Sequence, residues 1–283
     1  LLGYVSAISS DTKEHSLGKS ISGGWPADIH LIGKDILRFH AVYWPAMLIS
    51  AGMSPPKKVF GHGFLTREGQ KMGKSLGNVL DPSQLLNKYG RDPVRWYLLK
   101  DISLGSDGDF QNKRFVDIVN NDLANTIGNL LNRSISMSRK WFNNKTPSFT
   151  IKDDNNISNL SRETIKNYID FYDNYKLDLA SNEILKFAIN INLYLNEKEP
   201  WTLIKDKQNF DDVQLIIYNV LESTRIIGFL LQPLLPELSN KILFQLDQLN
   251  INNIWLEKLQ WGLLPQGYEL KEPKPIINKF EYE

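Results

Sequence analysis

Cysteine is absent from the 283 residues. That excludes disulfides and thiolate metal sites, and suits a reducing compartment. Histidine is scarce, with only His15, His30, His40 and His62. A surplus of one charge is also missing. With 33 Lys and Arg against 32 Asp and Glu the net charge is +1, so no global basic field draws in nucleic acid and any RNA contact must come from local patches. The sequence reads as having no run of roughly 18 apolar residues able to span a bilayer, and it has no internal repeat. The opening Leu1-Leu2-Gly3-Tyr4-Val5-Ser6-Ala7-Ile8 lacks the basic start and cleavage site of a signal peptide, and also an initiator Met. What is abundant is apolar residues, at 42%. That is ample for a buried core, and the length suggests about two domains.

One stretch stands out: Gly69-Gln70-Lys71-Met72-Gly73-Lys74-Ser75-Leu76-Gly77-Asn78. Two lysines sit three apart among glycines, with the hydroxyl of Ser75 after the second. Glycine lets backbone approach a ligand closely, and lysine is a mobile point charge suited to phosphate. Such a loop can neutralise charge developing on a polyphosphate leaving group, although a short Lys/Gly pattern alone reads equally well as a solvated basic turn. Before it, residues 27–33 form a buried-strand pattern ending at Gly33, and a helical pattern runs over 35–51 with Ile36, Phe39, Trp44 and Leu48 apolar. Ligands of open α/β sheets sit at the carboxyl ends of strands, which marks Gly33-Lys34-Asp35. Asp35 reads equally as a helix N-cap, and the residues at 36, 39, 40 and 44 as core. Residues 57–65 form a further strand, with Gly61 and Gly63 allowing close backbone approach. Residues 9–24 read as a loop. Asp107-Gly108-Asp109-Phe110 reads as a polar turn and cap, too poor in ligands for calcium.

Beyond Phe110 the apolar period changes to three and four, predicting a helical bundle. A helix over 112–141 carries a core stripe through Phe115, Val119, Leu123, Ile127, Leu130 and Leu131, and a polar stripe through Asp122, Asn129, Arg133, Ser136 and Lys140. Asn129 and Arg133, four apart, are neighbours on one face. Residues 143–161 read as a loop. Helices follow over 162–175, 179–197, 213–231 and 238–249, and Pro200-Trp201 marks a helix stop and restart.

The 69–78 stretch resembles the Lys-Met-Ser-Lys-Ser signature of class I aminoacyl-tRNA synthetases, with Gly73 in place of the first Ser and both lysines kept. Together with its flanks Phe60-Gly61-His62-Gly63-Phe64-Leu65 and Leu76-Gly77-Asn78-Val79-Leu80-Asp81-Pro82, and the upstream Trp25-Pro26-Ala27-Asp28-Ile29-His30-Leu31-Ile32-Gly33-Lys34-Asp35-Ile36-Leu37-Arg38-Phe39-His40 and Tyr43-Trp44-Pro45-Ala46, the chain resembles the bacterial and organellar methionyl-tRNA synthetase family over nearly its whole length. The resemblance implies the second half of a Rossmann-type α/β catalytic domain over 1–110 and an all-α helical-bundle anticodon-binding domain with a C-terminal tail over 111–283. The family's His-Ile-Gly-His motif matches none of the four histidines, so the expectation is a C-terminal portion of a longer enzyme.

The resemblance also implies roles. Lys74, assisted by Lys71, would be catalytic. Gly33, Asp35, His62, Lys71, Lys74 and Ser75 would bind ATP. Tyr4, Ile36, Phe39 and His40 would line a methionine pocket, with Trp44 as support, and Asn129, Arg133 and Trp201 would read the anticodon. The implied activity is ATP-dependent attachment of methionine to its tRNA through methionyl-adenylate. Mg²⁺ would enter with ATP rather than through a protein metal site, and the partners would be initiator and elongator methionine tRNA, methionine and ATP, with neither DNA nor membrane. The implied compartment is the bacterial cytoplasm, or alternatively an organelle. The tail is expected to fold back onto the catalytic domain. Taken alone, the chain could instead be a non-catalytic anticodon-binding fragment.

Overall fold

The structure is a computed structural model describing residues 1–8, 17–149, 155–249 and 255–282. It divides into two compact units, one of Leu1–Lys71 with Leu104–Asp109, the other of Met72–Ser103 with Phe110–Glu283. The short segment 104–109 thus belongs to the first unit although the chain on both sides of it belongs to the second.

In the first unit, α1 (Leu2–Ile8) and α2 (Leu17–Ser22) precede β1 (His30–Gly33). Part of the expected 9–24 loop is therefore helical, and residues 9–16 lie outside the described residues. After β1 comes not one regular helix over 35–51 but a 3₁₀ turn (Lys34–Ile36), a π-helical segment (Phe39–Tyr43) and α3 (Trp44–Ser50). The i→i+5 bonding of the π segment shifts the angular register. Trp44 and Leu48 point into a small core with Trp25 and Met53, while Ile36 and Phe39, expected as core, are 38% and 52% exposed. β2 (Val59–His62) pairs in parallel with β1, Gly33 opposite His62. β3 (Leu65–Arg67) and β4 (Gln70–Lys71) form a hairpin whose two-residue turn, Glu68-Gly69, has positive φ at both positions (50° and 76°), as the right-handed strand twist favours. The expected polar turn at 107–110 is instead largely β5 (Gly108–Phe110), which flanks β3 in a three-stranded sheet.

The second unit is helical: α4 (Pro82–Tyr89), α5 (Arg91–Asp101), α6 (Asn112–Ile118), a π segment (Val119–Gly128), α7 (Asn129–Trp141), α8 (Asn156–Asp173), α9 (Leu177–Lys198), α10 (Pro200–Leu203), α11 (Phe210–Leu231) and α12 (Pro236–Gln245). The Asp81 carboxylate caps α4 by accepting from the Ser83 amide at 2.8 Å. α8 starts within the stretch expected to be loop, and α12 ends four residues short of the expected 249. The residues of the predicted stripe from Phe115 to Leu131 are buried. Asp122, expected on the polar face, is buried too: the intervening π segment turns it inward, where its carboxylate accepts from Trp96 Nε1 at 2.9 Å and pairs with Lys100 at 3.1 Å.

α11 is the centre of the bundle, packed by α7, α8, α9 and α12. The segment Lys207–Leu231 is long and apolar enough to cross a membrane, contrary to the expectation that no such stretch exists, but it is mostly buried, its apolar faces covered by the surrounding helices. The tail bonds to the helical unit, Leu270 N to Asn144 O, Lys274 N to Gln245 Oε1 and Phe280 N to Asn120 Oδ1, and its Phe280 ring packs on Tyr89 within the 1–110 segment, centroids 5.1 Å apart.

Candidate functional site

The first unit gathers three predicted residues where its two parallel strands end. Gly33 closes β1, His62 closes β2 directly opposite, and Asp35 follows in the 3₁₀ turn. Gly33 has an ordinary extended backbone, so its need for glycine is spatial: a Cβ there would lie 2.6 Å from Asp35 Oδ1 and 4.0 Å from His62 Cε1. Asp35 does not act as the N-cap, because that position is Gly33 and no side chain bonds to it. Its exposed carboxylate faces the strand ends. His62 Nδ1–H donates to Gly63 O at 2.9 Å, which leaves Nε2 as the outward-facing nitrogen. Gly63 is glycine because the backbone of 106–107 crosses it. A Cβ there would meet Ser106 O at 2.0 Å and Asp107 N at 2.5 Å.

Tyr4, Ile36 and His40 also come together. His40 is buried; its Nδ1–H donates to Ile36 O at 3.0 Å, and the Tyr4 hydroxyl lies 2.9 Å from Nε2, which accepts from it in that tautomer. The Tyr4 ring lies 4.7 Å from His30 and 6.3 Å from the buried Trp44. Burial, with a smaller push from His40, holds the His30 imidazole below the usual histidine range. Phe39, next to His40 in the chain, is 52% exposed with its ring 5.6 Å from that of Tyr43.

Lys71 ends the hairpin in β4, within the first unit. Lys74 and Ser75, in the second, are exposed on a 3₁₀ turn (Lys74–Leu76) held by Gly73 N donating to Asn78 Oδ1 at 2.9 Å and closed by Gly77 at φ 64°. Gly73 has an extended backbone, and a Cβ there would make only ordinary contacts, 3.5 Å from Leu76. The substitution of Gly for Ser in the signature therefore answers no demand of the fold.

On the helical unit, Arg133 of α7 donates from Nη2 to Asn196 Oδ1 of α9 at 2.8 Å and holds its guanidinium 5.6 Å from the Trp201 ring centroid. Asn129 is exposed one turn before Arg133. Trp201 is 38% exposed beside buried Pro200. Asn192 donates to Thr126 O (3.3 Å), in the π segment before α7. Arg133 and Trp201 are thus brought together, with Asn129 adjacent. Asn196 escapes sequence reasoning because its partner Arg133 lies 63 residues away, so no local spacing reports it, while Asn192 also donates to Ala188 O within its own helix at 2.9 Å. The carboxylates at 107 and 109 escape it too, since their partners Lys34, Phe64, Thr66 and Gly69 lie 40 to 73 residues upstream.

Residues 1–135 match the family model described as tRNA synthetases class I (M), and residues 145–283 match that described as the anticodon binding domain of methionyl tRNA ligase. A methionine–tRNA ligase from Nostoc sp. (strain PCC 7120) is 42% identical, over 99% of this chain and 54% of that protein. The methionine–tRNA ligase, chloroplastic/mitochondrial, of Arabidopsis thaliana is 41% identical over 99% of this chain and 46% of its own. The structure of Mycobacterium tuberculosis methionyl-tRNA synthetase in complex with methionyl-adenylate superposes with a TM-score of 0.87 at 34% identity, covering 97% of this chain and 55% of that one. The chain spans about half the length of the curated relatives it matches.

Proposed function

We propose that this chain, which belongs to the methionyl-tRNA synthetase family, supplies the second half of the adenylation site and the anticodon reader of an enzyme that joins methionine to its tRNA. The observation that carries the reading is the meeting of Gly33, Asp35 and His62 at the carboxyl ends of β1 and β2, where open α/β sheets bind nucleotides. In this reading the Asp35 carboxylate accepts from the ribose hydroxyls of ATP, Gly33 leaves room for the sugar, and His62 Nε2 faces the adenylate. Tyr4, Ile36, Phe39 and His40 hold the flexible thioether against aromatic and aliphatic walls. The Tyr4–His40 bond fixes the imidazole tautomer.

The methionine carboxylate attacks the α-phosphorus and pyrophosphate leaves. The terminal ribose hydroxyl of the tRNA then attacks the adenylate carbonyl and AMP leaves. No covalent enzyme intermediate is needed, and positioning with charge stabilisation carries the rate. Lys74 stabilises charge on the α-phosphate and the departing pyrophosphate, with Lys71 and Ser75 assisting. Mg²⁺ arrives with the ATP phosphates. Asn129 and Arg133 offer donors and acceptors to anticodon bases, Trp201 offers a stacking face, and Asn196 positions Arg133. The functional division falls at 110/111. The partners are initiator and elongator methionine tRNAs, methionine and ATP, with no DNA and no membrane, in a bacterial cytoplasm or, as the second choice, an organelle.

A second reading, that the chain alone binds tRNA without catalysis, is favoured by one observation. Leu31, Phe39, Val42, Met47 and Ile49 of the first unit are each 46–65% exposed, apolar side chains that a partner would cover. Lys74→Ala tests the catalytic assignment in a synthetase completed with the rest of the catalytic domain. Methionine-dependent ATP–pyrophosphate exchange is expected to lose about a hundredfold or more in rate, as for other lost transition-state charge contacts, with methionine affinity nearly unchanged. Equal losses in both would remove Lys74 from that role.

A further inference from the structure

The carboxylates of Asp107 and Asp109 remain without a function in the account above. Asp107 accepts from Lys34 Nζ on both oxygens (2.6 and 2.7 Å) and from the Phe64 amide at 2.7 Å. These contacts, Lys34 first and the amide second, hold its carboxyl below the usual range. Lys34 also lies 4.9 Å from the Phe64 ring centroid. Asp109 Oδ1 accepts from Thr66 Oγ1 (2.6 Å) and the Gly69 amide (2.9 Å), at the turn that leads to Lys71. The segment Leu104–Asp109 therefore lies across the ends of both strands, pinned at Lys34, between Gly33 and Asp35, and at Phe64, two residues past His62. An exposed ion pair adds little to stability. Three bonds converging on one carboxylate, one of them from backbone, instead fix a geometry.

We infer that Asp107, bridging Lys34 and the Phe64 amide, is a positioning residue that sets the Gly63-Phe64 peptide and through it the His62 imidazole. The chain of contacts is continuous. Asp107 holds the Phe64 amide, the Ser106-Asp107 backbone sits against Gly63 where any side chain would clash, and Gly63 O accepts from His62 Nδ1–H. Lys34 pulls the same carboxylate toward the end of β1, so the two strand ends are held at a set separation. This rests on the nucleotide reading of His62 only for its catalytic consequence, and the two are tested separately.

The first test reads the ring ¹⁵N shifts of His62 by NMR in the 283-residue chain. The native chain is expected to show one tautomer, protonated at Nδ1. Asp107→Ala should move both shifts toward the average of the two tautomers, Lys34→Ala should move them less, and Asp107→Asn, which keeps an acceptor for Phe64 N, should fall between native and Asp107→Ala. His40, whose Nδ1–H is held separately by Ile36 O, is the internal control and should not move. If Asp107→Ala unfolds the unit, both histidines shift and the comparison passes to Asp107→Asn and Lys34→Gln. The second test measures ATP–pyrophosphate exchange in the completed synthetase. Asp107→Ala should raise KM for ATP on the order of tenfold or more, as misplacement of a binding group does, with KM for methionine unchanged. A His62 signal that ignores Asp107 and Lys34 overturns the inference. A shifted His62 with an unchanged KM for ATP upholds the positioning but removes His62 from the nucleotide site.

Discussion

Glu222 of α11 should be among the residues whose loss costs this chain most, and the reason is countable. Glu222 and Arg225 are 0% and 1% exposed. Glu222 Oε1 accepts from Arg225 Nη2 (2.6 Å) and the amides of Gly262 (2.7 Å) and Leu263 (3.1 Å); Oε2 accepts from Arg225 Nε (2.7 Å) and the Leu264 amide (3.1 Å). Arg225 in turn donates to Lys258 O and Gln260 O, both at 2.6 Å. The pair thus staples 258–264 to the central helix. Breaking a buried ion pair costs about 3–5 kcal/mol, and each buried amide left without an acceptor adds about 1–3 kcal/mol. Glu222→Ala should therefore lose at least ~4 kcal/mol, a large share of the ~5–15 kcal/mol typical of a domain. Arg225→Ala should lose less, since Glu222 keeps three amide donors. Replacing both by Leu and Met, often neutral for a buried pair, should remain destabilising here because the amides of 262–264 are still orphaned. Urea unfolding gives the free energies, and amide exchange at 262–264 reads the staple directly. A loss under about 1 kcal/mol for Glu222→Ala, or protection at 262–264 that survives it, would refute the reasoning.

Asp92 gives a pH test. It is buried, its Oδ2 accepts from the Leu238 amide at 2.7 Å while Oδ1 accepts no hydrogen bond and only faces Arg91 Nε at 3.7 Å, and burial outweighs these contacts and raises its pKa. The folded state therefore holds the proton more tightly than the unfolded one, so this residue's contribution to stability falls as pH rises from the ordinary carboxylate range through the raised value. Urea midpoints should show Asp92→Asn losing that pH dependence and being neutral or stabilising at pH 7; an unchanged profile would contradict this. Gly63→Ala should abolish folding of the first unit, whereas Gly73→Ser, in the second, should leave the stability of the chain within about 0.5 kcal/mol, a contrast readable by circular dichroism. Trp201→Ala should weaken tRNA charging by about 1–3 kcal/mol, the value of one stacked base, with Asn196→Ala following in the same direction and ATP–pyrophosphate exchange nearly intact. A comparable drop in exchange would remove Trp201 from the anticodon site.

Periodicity carried the sequence reading where packing obeys one regular period. The Phe115–Leu131 stripe is buried as its spacing requires, whereas the buried run expected of β1 alternates, with Leu31 58% exposed. It failed where the backbone leaves that period. π segments at Phe39–Tyr43 and Val119–Gly128 rotate Ile36 and Phe39 outward and Asp122 inward, because a helix bonded i→i+5 advances its side chains by a different angle. Residue type and spacing alone single out Gly33, Lys74 and Arg133 as candidates, and the fold sets Gly33 beside Asp35 and His62 and Arg133 beside Trp201. Those defined by a distant partner, such as Asn196 facing Arg133 or Asp107 facing Lys34, were not, since 63 and 73 residues separate the pairs. Asp107 and Asp109 looked like a turn because their acceptor roles are set by strands more than 40 residues upstream.

The most direct test of the account is a paired measurement on the 283-residue chain: methionine-dependent ATP–pyrophosphate exchange alongside binding of methionine tRNA. Methionine tRNA is expected to bind, less tightly with Trp201→Ala, and exchange to be absent until the remainder of the catalytic domain is supplied. Exchange by the chain alone would contradict the half-site assignment of Gly33, Asp35, His62 and the two lysines, and failure to bind tRNA would contradict the anticodon assignment of Asn129, Arg133 and Trp201.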